Sequence, residues 1–223
     1  MSLSTGRVAA IAGIVLVVAA TGATTTLLLR SRLAAPADRV AAQIGTVAVV
    51  YPPAYARFGP GRSGGLLDRI EMAFTFPDLR AAGDAASALP ADDSVGPATR
   101  QLVFVTLRRE DELADPADRT EKIYARFLQS DVWQEEAGLV MRRFEAGSPY
   151  EREELHFVPP EGRVFAARCV RPTQPPSDLP STCLSALRLD GLDIDIRFSP
   201  TLLPRWEALT DGVKRLITSF VVK

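Results

Sequence analysis

The chain has 223 residues, a formal net charge of −1 and 47% hydrophobic residues. That balance excludes the basic character of a nucleic-acid binder and the apolar-poor, highly charged composition of a disordered segment. Asn is absent, and Lys occurs only at Lys122, Lys214 and Lys223 while Arg, Ala and Pro are plentiful. This bias fits a high-GC, bacterial genome and leaves no N-glycosylation sequon.

The first element is an uncharged run from Val8 to Leu29, VAAIAGIVLVVAATGATTTLLL, fenced by Arg7 before it and by Arg30 and Arg32 after it. At about 1.5 Å rise per residue a helix of this length crosses a hydrocarbon core of roughly 30 Å. The run therefore reads as a signal-anchor, a single transmembrane helix over 8–29 behind a cytoplasmic tail of residues 1–7. A cleaved signal peptide is the rival, with Val18-Ala19-Ala20 or Thr21-Gly22-Ala23 as small-residue cleavage sites. The leucines at 27, 28 and 29 continue the apolar run past both sites and favour the anchor. Flanking charge is nearly tied between the two ends and does not set the direction.

Residues 30–65 read as a stalk. Val40, Ile44 and Val47 suggest some helix within it, and YPPAYARFGPGRSGG then interrupts any regular element with Pro and Gly. The Gly-rich FGPGRSGG lacks the Gly-Lys-Ser/Thr ending of a phosphate-binding loop. The folded domain is expected over 66–223. Leu67 to Phe76 alternates, with Ile70, Met72, Phe74 and Phe76 on one face and Arg69, Glu71 and Thr75 on the other. Residues 78–99 carry no large apolar repeat and read as a flexible loop. Gln101 to Leu107 is apolar on both faces, as in a central strand.

A helix is expected from near Pro116 to Ser130, capped by Asp115, with Ala117, Tyr124, Phe127 and Leu128 buried. Short strands follow at Leu139–Glu145, Glu153–Val158, Val164–Val170, Cys183–Leu189 and Leu192–Phe198. The last two are joined by Asp190-Gly191, a strong hairpin signal. A C-terminal amphipathic helix places Leu202, Leu203, Trp206, Leu209, Val213, Leu216, Ile217 and Phe220 on one stripe. The fold class is thus α+β: an N-terminal transmembrane helix, then one domain with an antiparallel, mostly meander sheet of about seven strands packed by two helices.

Chemistry is sparse. His156, the one histidine, sits in EELHFV opposite Leu155 and Phe157 and so falls on the more polar strand face; it reads as a surface residue. As a general base it needs an orienting partner and a nucleophile, and Glu153, Glu154 and Ser148 are near only in sequence. Asp190, Asp193 and Asp195 alternate with Leu192, Ile194, Ile196 and Phe198, the pattern of a solvated strand face rather than a cation site. Glu151, Glu153 and Glu154 have no placeable partner for glycoside cleavage. The arginines at 142, 143, 163, 168, 188 and 197 are expected to pair with Glu145, Glu153 and Asp193, some of them lining an anion or partner patch on the uncovered sheet face. No G-x-S-x-G, S-x-x-K or H-E-x-x-H motif is present. No catalytic, metal-binding or cofactor-binding residue is assigned.

Cys169 and Cys183 bracket a Pro-rich stretch, a spacing that suits a disulfide closing a loop of about 15 residues and contributing roughly 3 kcal/mol. The disulfide implies an oxidising compartment and supplies the direction that flanking charge does not. These features point to a single-pass protein of the bacterial cytoplasmic membrane whose periplasmic domain binds a partner protein in the envelope without catalysis and without a cofactor. Three alternatives stand beside it: a membrane-tethered hydrolase, a small-ligand or lipid-binding periplasmic domain, and the inverse topology with the domain in the cytoplasm and free thiols.

Overall fold

The computed structural model describes residues 38–82, 102–111, 115–171 and 181–223. The stretch expected as a membrane span, Val8 to Leu29, and most of the loop expected over 78–99 lie outside them. Among the described residues no helix is long and apolar enough to cross a membrane.

Alternation in the sequence becomes a sheet with two different faces. Strands β4 (Arg69–Thr75), β5 (Leu102–Arg109), β6 (Trp133–Gln134), β7 (Val140–Arg143), β8 (Glu153–Phe157), β9 (Ala166–Val170), β10 (Cys183–Leu189) and β11 (Leu192–Phe198) form one eight-stranded sheet in the order β4-β5-β11-β10-β9-β8-β7-β6. Every pair in it is antiparallel. All seven strands expected from the sequence are present, and the stretch from β6 to β11 is a meander. The order departs from chain order at one place, where β5 lies against β11.

On one face, Ile70, Met72 and Phe74 of β4, Val103, Val105 and Leu107 of β5, and Leu192, Ile194, Ile196 and Phe198 of β11 join a single buried cluster. Helix α2 (Trp206–Thr218) packs on that face through Leu209, Val213 and Ile217, none more than 1% exposed. Its stripe is the one read from the sequence. Pro204 falls in a 3-10 turn, Pro200–Arg205, capped by the Ser199 hydroxyl, so the α-helix proper starts after the residue that cannot donate.

Three expectations are corrected. The stalk over 30–65 is not borne out beyond Asp38. Val40–Ile44 (β1) and Val47–Tyr51 (β2) form an antiparallel hairpin, joined by β3 (Gly65–Leu66) in a three-stranded sheet. Ala42, Ile44, Val49 and Tyr51 belong to the main core at 1% exposure or less. The helical spacing of Val40, Ile44 and Val47 misleads because Gly45, at φ +58°, turns the chain between Ile44 and Val47. The Pro/Gly stretch is not a linker either. Gly59–Ser63 makes one short helix (α1), and the Tyr51 hydroxyl donates to Gly61 O at 2.7 Å.

The helix expected over 116–130 is capped by Asp115 as expected but is not a regular α-helix. It runs as a 3-10 turn (Pro116–Asp118), a π turn (Thr120–Tyr124) and a second 3-10 turn (Ala125–Phe127). Its buried residues Thr120, Tyr124 and Leu128 recur every fourth position, wider than the α period, and the π turn keeps them aligned. Tyr124 and Leu128 join Val140, Phe144, Leu155 and Phe157 in a second cluster on the opposite face of the sheet. Finally, the start of the expected flexible loop is held: Thr75 N–H donates to Arg80 O and Ala82 N–H to Ala73 O, so these residues run along β4.

Similar contacts cover the free side of β4 and that of β2. Arg57 N–H donates to Glu71 O on the free side of β4, and the C-terminal residues pair with β2 through Val50 N–H to Phe220 O and Val222 N–H to Ala48 O. An edge so covered offers little to an incoming strand.

Candidate protein-interaction face

The residues singled out in the sequence scatter over the fold. His156 is not a surface histidine. It is 6% exposed, and its Nδ1 lies 2.7 Å from Glu135 Oε2. Strand parity places it opposite Leu155 correctly, but both faces are covered at this end of the sheet, so neither is the polar one. The register runs His156, Ala167, Ser185 across three strands. Ser185, the hydroxyl in that row, is therefore two strands or about 9–10 Å away, out of reach for proton transfer. The pair anchors the segment before β7, which Trp206 also holds by donating Nε1–H to Ala137 O at 3.1 Å.

The aspartates divide. Asp193, expected on a solvated face, is 2% exposed and is the centre of a buried network. It accepts from Arg188 Nε at 2.8 Å and from the Asp111 backbone N–H at 3.0 Å. Hydrogen bonding to Asp193 pushes the Arg188 pKa above its ordinary value. Asp195 pairs with Arg108 at 2.7 Å, and Asp190 accepts from the Thr218 hydroxyl. Among the described residues no group of three or more His, Cys, Asp or Glu side chains is arranged to hold a metal ion.

Most of the arginines are structural. Arg168 pairs with Glu153 and lies over the rings of Tyr124 and Tyr150, Arg143 pairs with Glu154, and Arg163 pairs with Asp118. Arg142 donates to Gln129 O at 2.9 Å rather than to an acid. Cys169 and Cys183 form the expected disulfide, directly opposite each other on β9 and β10 with a Cα–Cα distance of 4.0 Å.

What remains is a surface. The face that carries the second cluster at its β7–β9 end is charged over β4, β5 and β11. Residues opposite each other across antiparallel strands share a face. The register therefore gives three rows: Arg69, Arg108 and Asp193; Glu71, Thr106 and Asp195; Ala73, Phe104 and Arg197. Two arginines here are neutralised, Arg69 by Glu71 at 3.0 Å and Arg108 by Asp195. Two are not. Arg197 is exposed and makes no ion pair among the described residues. Arg57 makes none either; its guanidinium lies 4.5 Å from the centre of the Phe104 ring and 5.0 Å from that of Phe58, with Nε lacking a hydrogen-bond partner.

Beside this face opens a cleft of about 540 Å³ lined by Phe58, Pro60, Gly61, Leu67, Asp68, Arg69 and Glu71. Phe58 is 52% exposed and nearby Leu66 79%. Exposed aromatic and aliphatic side chains among arginines form the composition found at the centre of protein interfaces. Of the arginines named from the sequence Arg197 belongs here, and Arg188 joins the face through Asp193. Arg57, Phe58, Arg69, Phe104 and Arg108 were missed, because their proximity depends on β5 lying against β11 and on Arg57 folding back over β4.

No protein-family model and no curated protein matches the sequence. The fold is similar to that of Smlt3025, an immunity protein of the Stenotrophomonas maltophilia type IV secretion system, with a TM-score of 0.60 and 11% identity over 83% of this chain and 94% of that one. A weaker likeness, TM-score 0.48 at 11% identity over 82% of this chain and 92% of that one, is to the Neisseria meningitidis iron-regulated outer membrane lipoprotein FrpD. At such identities the likeness is one of fold.

Proposed function

We propose that this chain is a non-catalytic recognition protein, tethered to a bacterial cytoplasmic membrane by Val8–Leu29, whose periplasmic domain binds a partner protein through the β4-β5-β11 face. The observation that carries this reading is the contiguity of half-exposed Phe58 and its open cleft with a sheet face on which Arg57 and Arg197 make no ion pair among the described residues. The covered edge of β4 directs recognition there to side chains on a face rather than to strand addition. The Cys169–Cys183 disulfide supports an oxidising compartment. A fold shared with an immunity protein of a secretion system supports recognition as the role.

The test is site-specific photocrosslinking in cells. A photoreactive residue in place of Phe58 is expected to give one discrete heteromeric adduct. The same residue in place of Val164, which is 67% exposed but remote in the sheet order, should give none. Equal labelling from both positions, or none from Phe58, refutes the reading.

A further inference from the structure

A short tether limits how far from the bilayer the Phe58 cleft can act. Ten residues, 30–39, separate Leu29, the end of the proposed span, from Val40, the first residue of β1. Fully extended, ten residues reach at most about 36 Å. The cleft is built directly on the strand that the tether enters. Leu67 N–H donates to Gln43 O at 2.9 Å, and Leu66 lies opposite Gln43 in the β1–β3 register. A Cβ on Gly64 would meet Val40 Cγ1 at 2.6 Å, so the residue that ends α1 packs against the start of β1. From Gly64 the turns of α1 lead back to Phe58 over about 8–9 Å of helix. Whatever course the tether takes, the cleft stays within about 50 Å of the bilayer.

The size of the apolar anchor points the same way. Phe58 and Leu66, 52% and 79% exposed, are the large apolar side chains that the domain presents beside the cleft. Stable complexes between freely diffusing proteins bury about 1,200–2,000 Å² around such an anchor, far more than two side chains supply. Confinement to one membrane raises effective concentration by orders of magnitude without any further contact. We propose that the partner is an integral protein of the same membrane, and that the cleft takes an apolar side chain from the partner's segment just outside its own span. This rests on the function proposed above. A partner rooted in that bilayer presents such a segment at the height that ten residues allow.

The experiment uses the full-length chain in cells, with the photoreactive residue at position 58 as probe and a spacer inserted between Ala35 and Pro36. Eight EAAAK repeats form a semi-rigid helix about 60 Å long, whereas a Gly/Ser spacer with the same number of residues is a coil of roughly 35 Å end to end. The helical spacer should lower adduct yield at least tenfold by lifting the cleft out of reach, and the Gly/Ser spacer should hold it within about threefold. Mass spectrometry should map the adduct to a partner with an apolar span of about 20 residues, at a peptide next to that span. If the adduct survives the helical spacer, is lost equally with both spacers, or maps to a protein without a span, the inference is overturned while the recognition role stands. If the chain without a spacer gives no adduct, both fall. Labelling of lipid in place of protein from position 58 makes the bilayer itself the occupant and overturns both.

Discussion

Asp193 offers the sharpest test of the sheet, because strand periodicity and tertiary structure assign it opposite environments. In LDIDIRF it occupies a polar position equivalent to Asp195, yet its side chain is 3% exposed against 20% for Asp195. Asp193→Ala removes the acceptor of Arg188 Nε–H and of the Asp111 N–H. Breaking a buried ion pair costs about 3–5 kcal/mol when the remaining charge is left alone. Arg188 is not left alone: its side chain is 21% exposed and also reaches Glu110 at 3.2 Å. The expected loss is therefore nearer ~2–3 kcal/mol, a fall in Tm of about 4–12 °C for a domain of this size. Asp195→Ala breaks a pair whose arginine is 42% exposed and should cost less than about 1 kcal/mol. Urea unfolding followed by tryptophan fluorescence under non-reducing conditions measures both. If the two variants unfold at the same midpoint, Asp193 is a solvated strand residue and the buried network is wrong.

Gly64→Ala should destabilise the domain by more than about 2 kcal/mol, since Gly64 has φ +74° and an added Cβ would overlap the Ala41 carbonyl oxygen and meet Val40 Cγ1 at 2.6 Å. Gly65→Ala, at φ +93° with nothing nearby, should cost only the backbone strain of about 1–2 kcal/mol, and equal, negligible effects in a thermal melt would return residues 40–66 to a stalk. Burial pushes the Tyr51 hydroxyl up to about 12. An unfolded Tyr ionises near 10, so above that pH the unfolded chain releases a proton the folded one keeps, and stability should fall between pH 10 and pH 12. Tyr51→Phe should shed that part of the alkaline loss while costing about 1 kcal/mol at pH 7 for the orphaned Gly61 carbonyl; parallel pH profiles for the two proteins in urea melts would refute it.

Particular elements show what could be read in advance. The stripe from Leu202 to Phe220 buries as its spacing dictates, because a helix 13 residues long with apolar groups on one side has one way to leave water. Alternation in β4 and β11 fixes which residues face that helix, and Asp190-Gly191 fixes the hairpin between β10 and β11. The cysteine pair was legible because its spacing and the hairpin-rich stretch around it brought the two residues level on neighbouring strands. Val40 to Tyr51 misleads because its alanines and valines satisfy a helical and a strand pattern alike, and one glycine decides between them.

Local pattern determined the α+β class, seven strands, the packing face of the terminal helix and the disulfide, since these depend on which side chains leave water together along a short stretch. Burial of His156 and Asp193, the recruitment of residues 40–56 to the core, and the meeting of Arg57, Phe104 and Arg197 on one face were decided only by tertiary structure. Each depends on strands far apart in sequence meeting side by side. The pairing of β5 with β11 brings residues 104 and 197 together, and no periodicity within either strand encodes its neighbour.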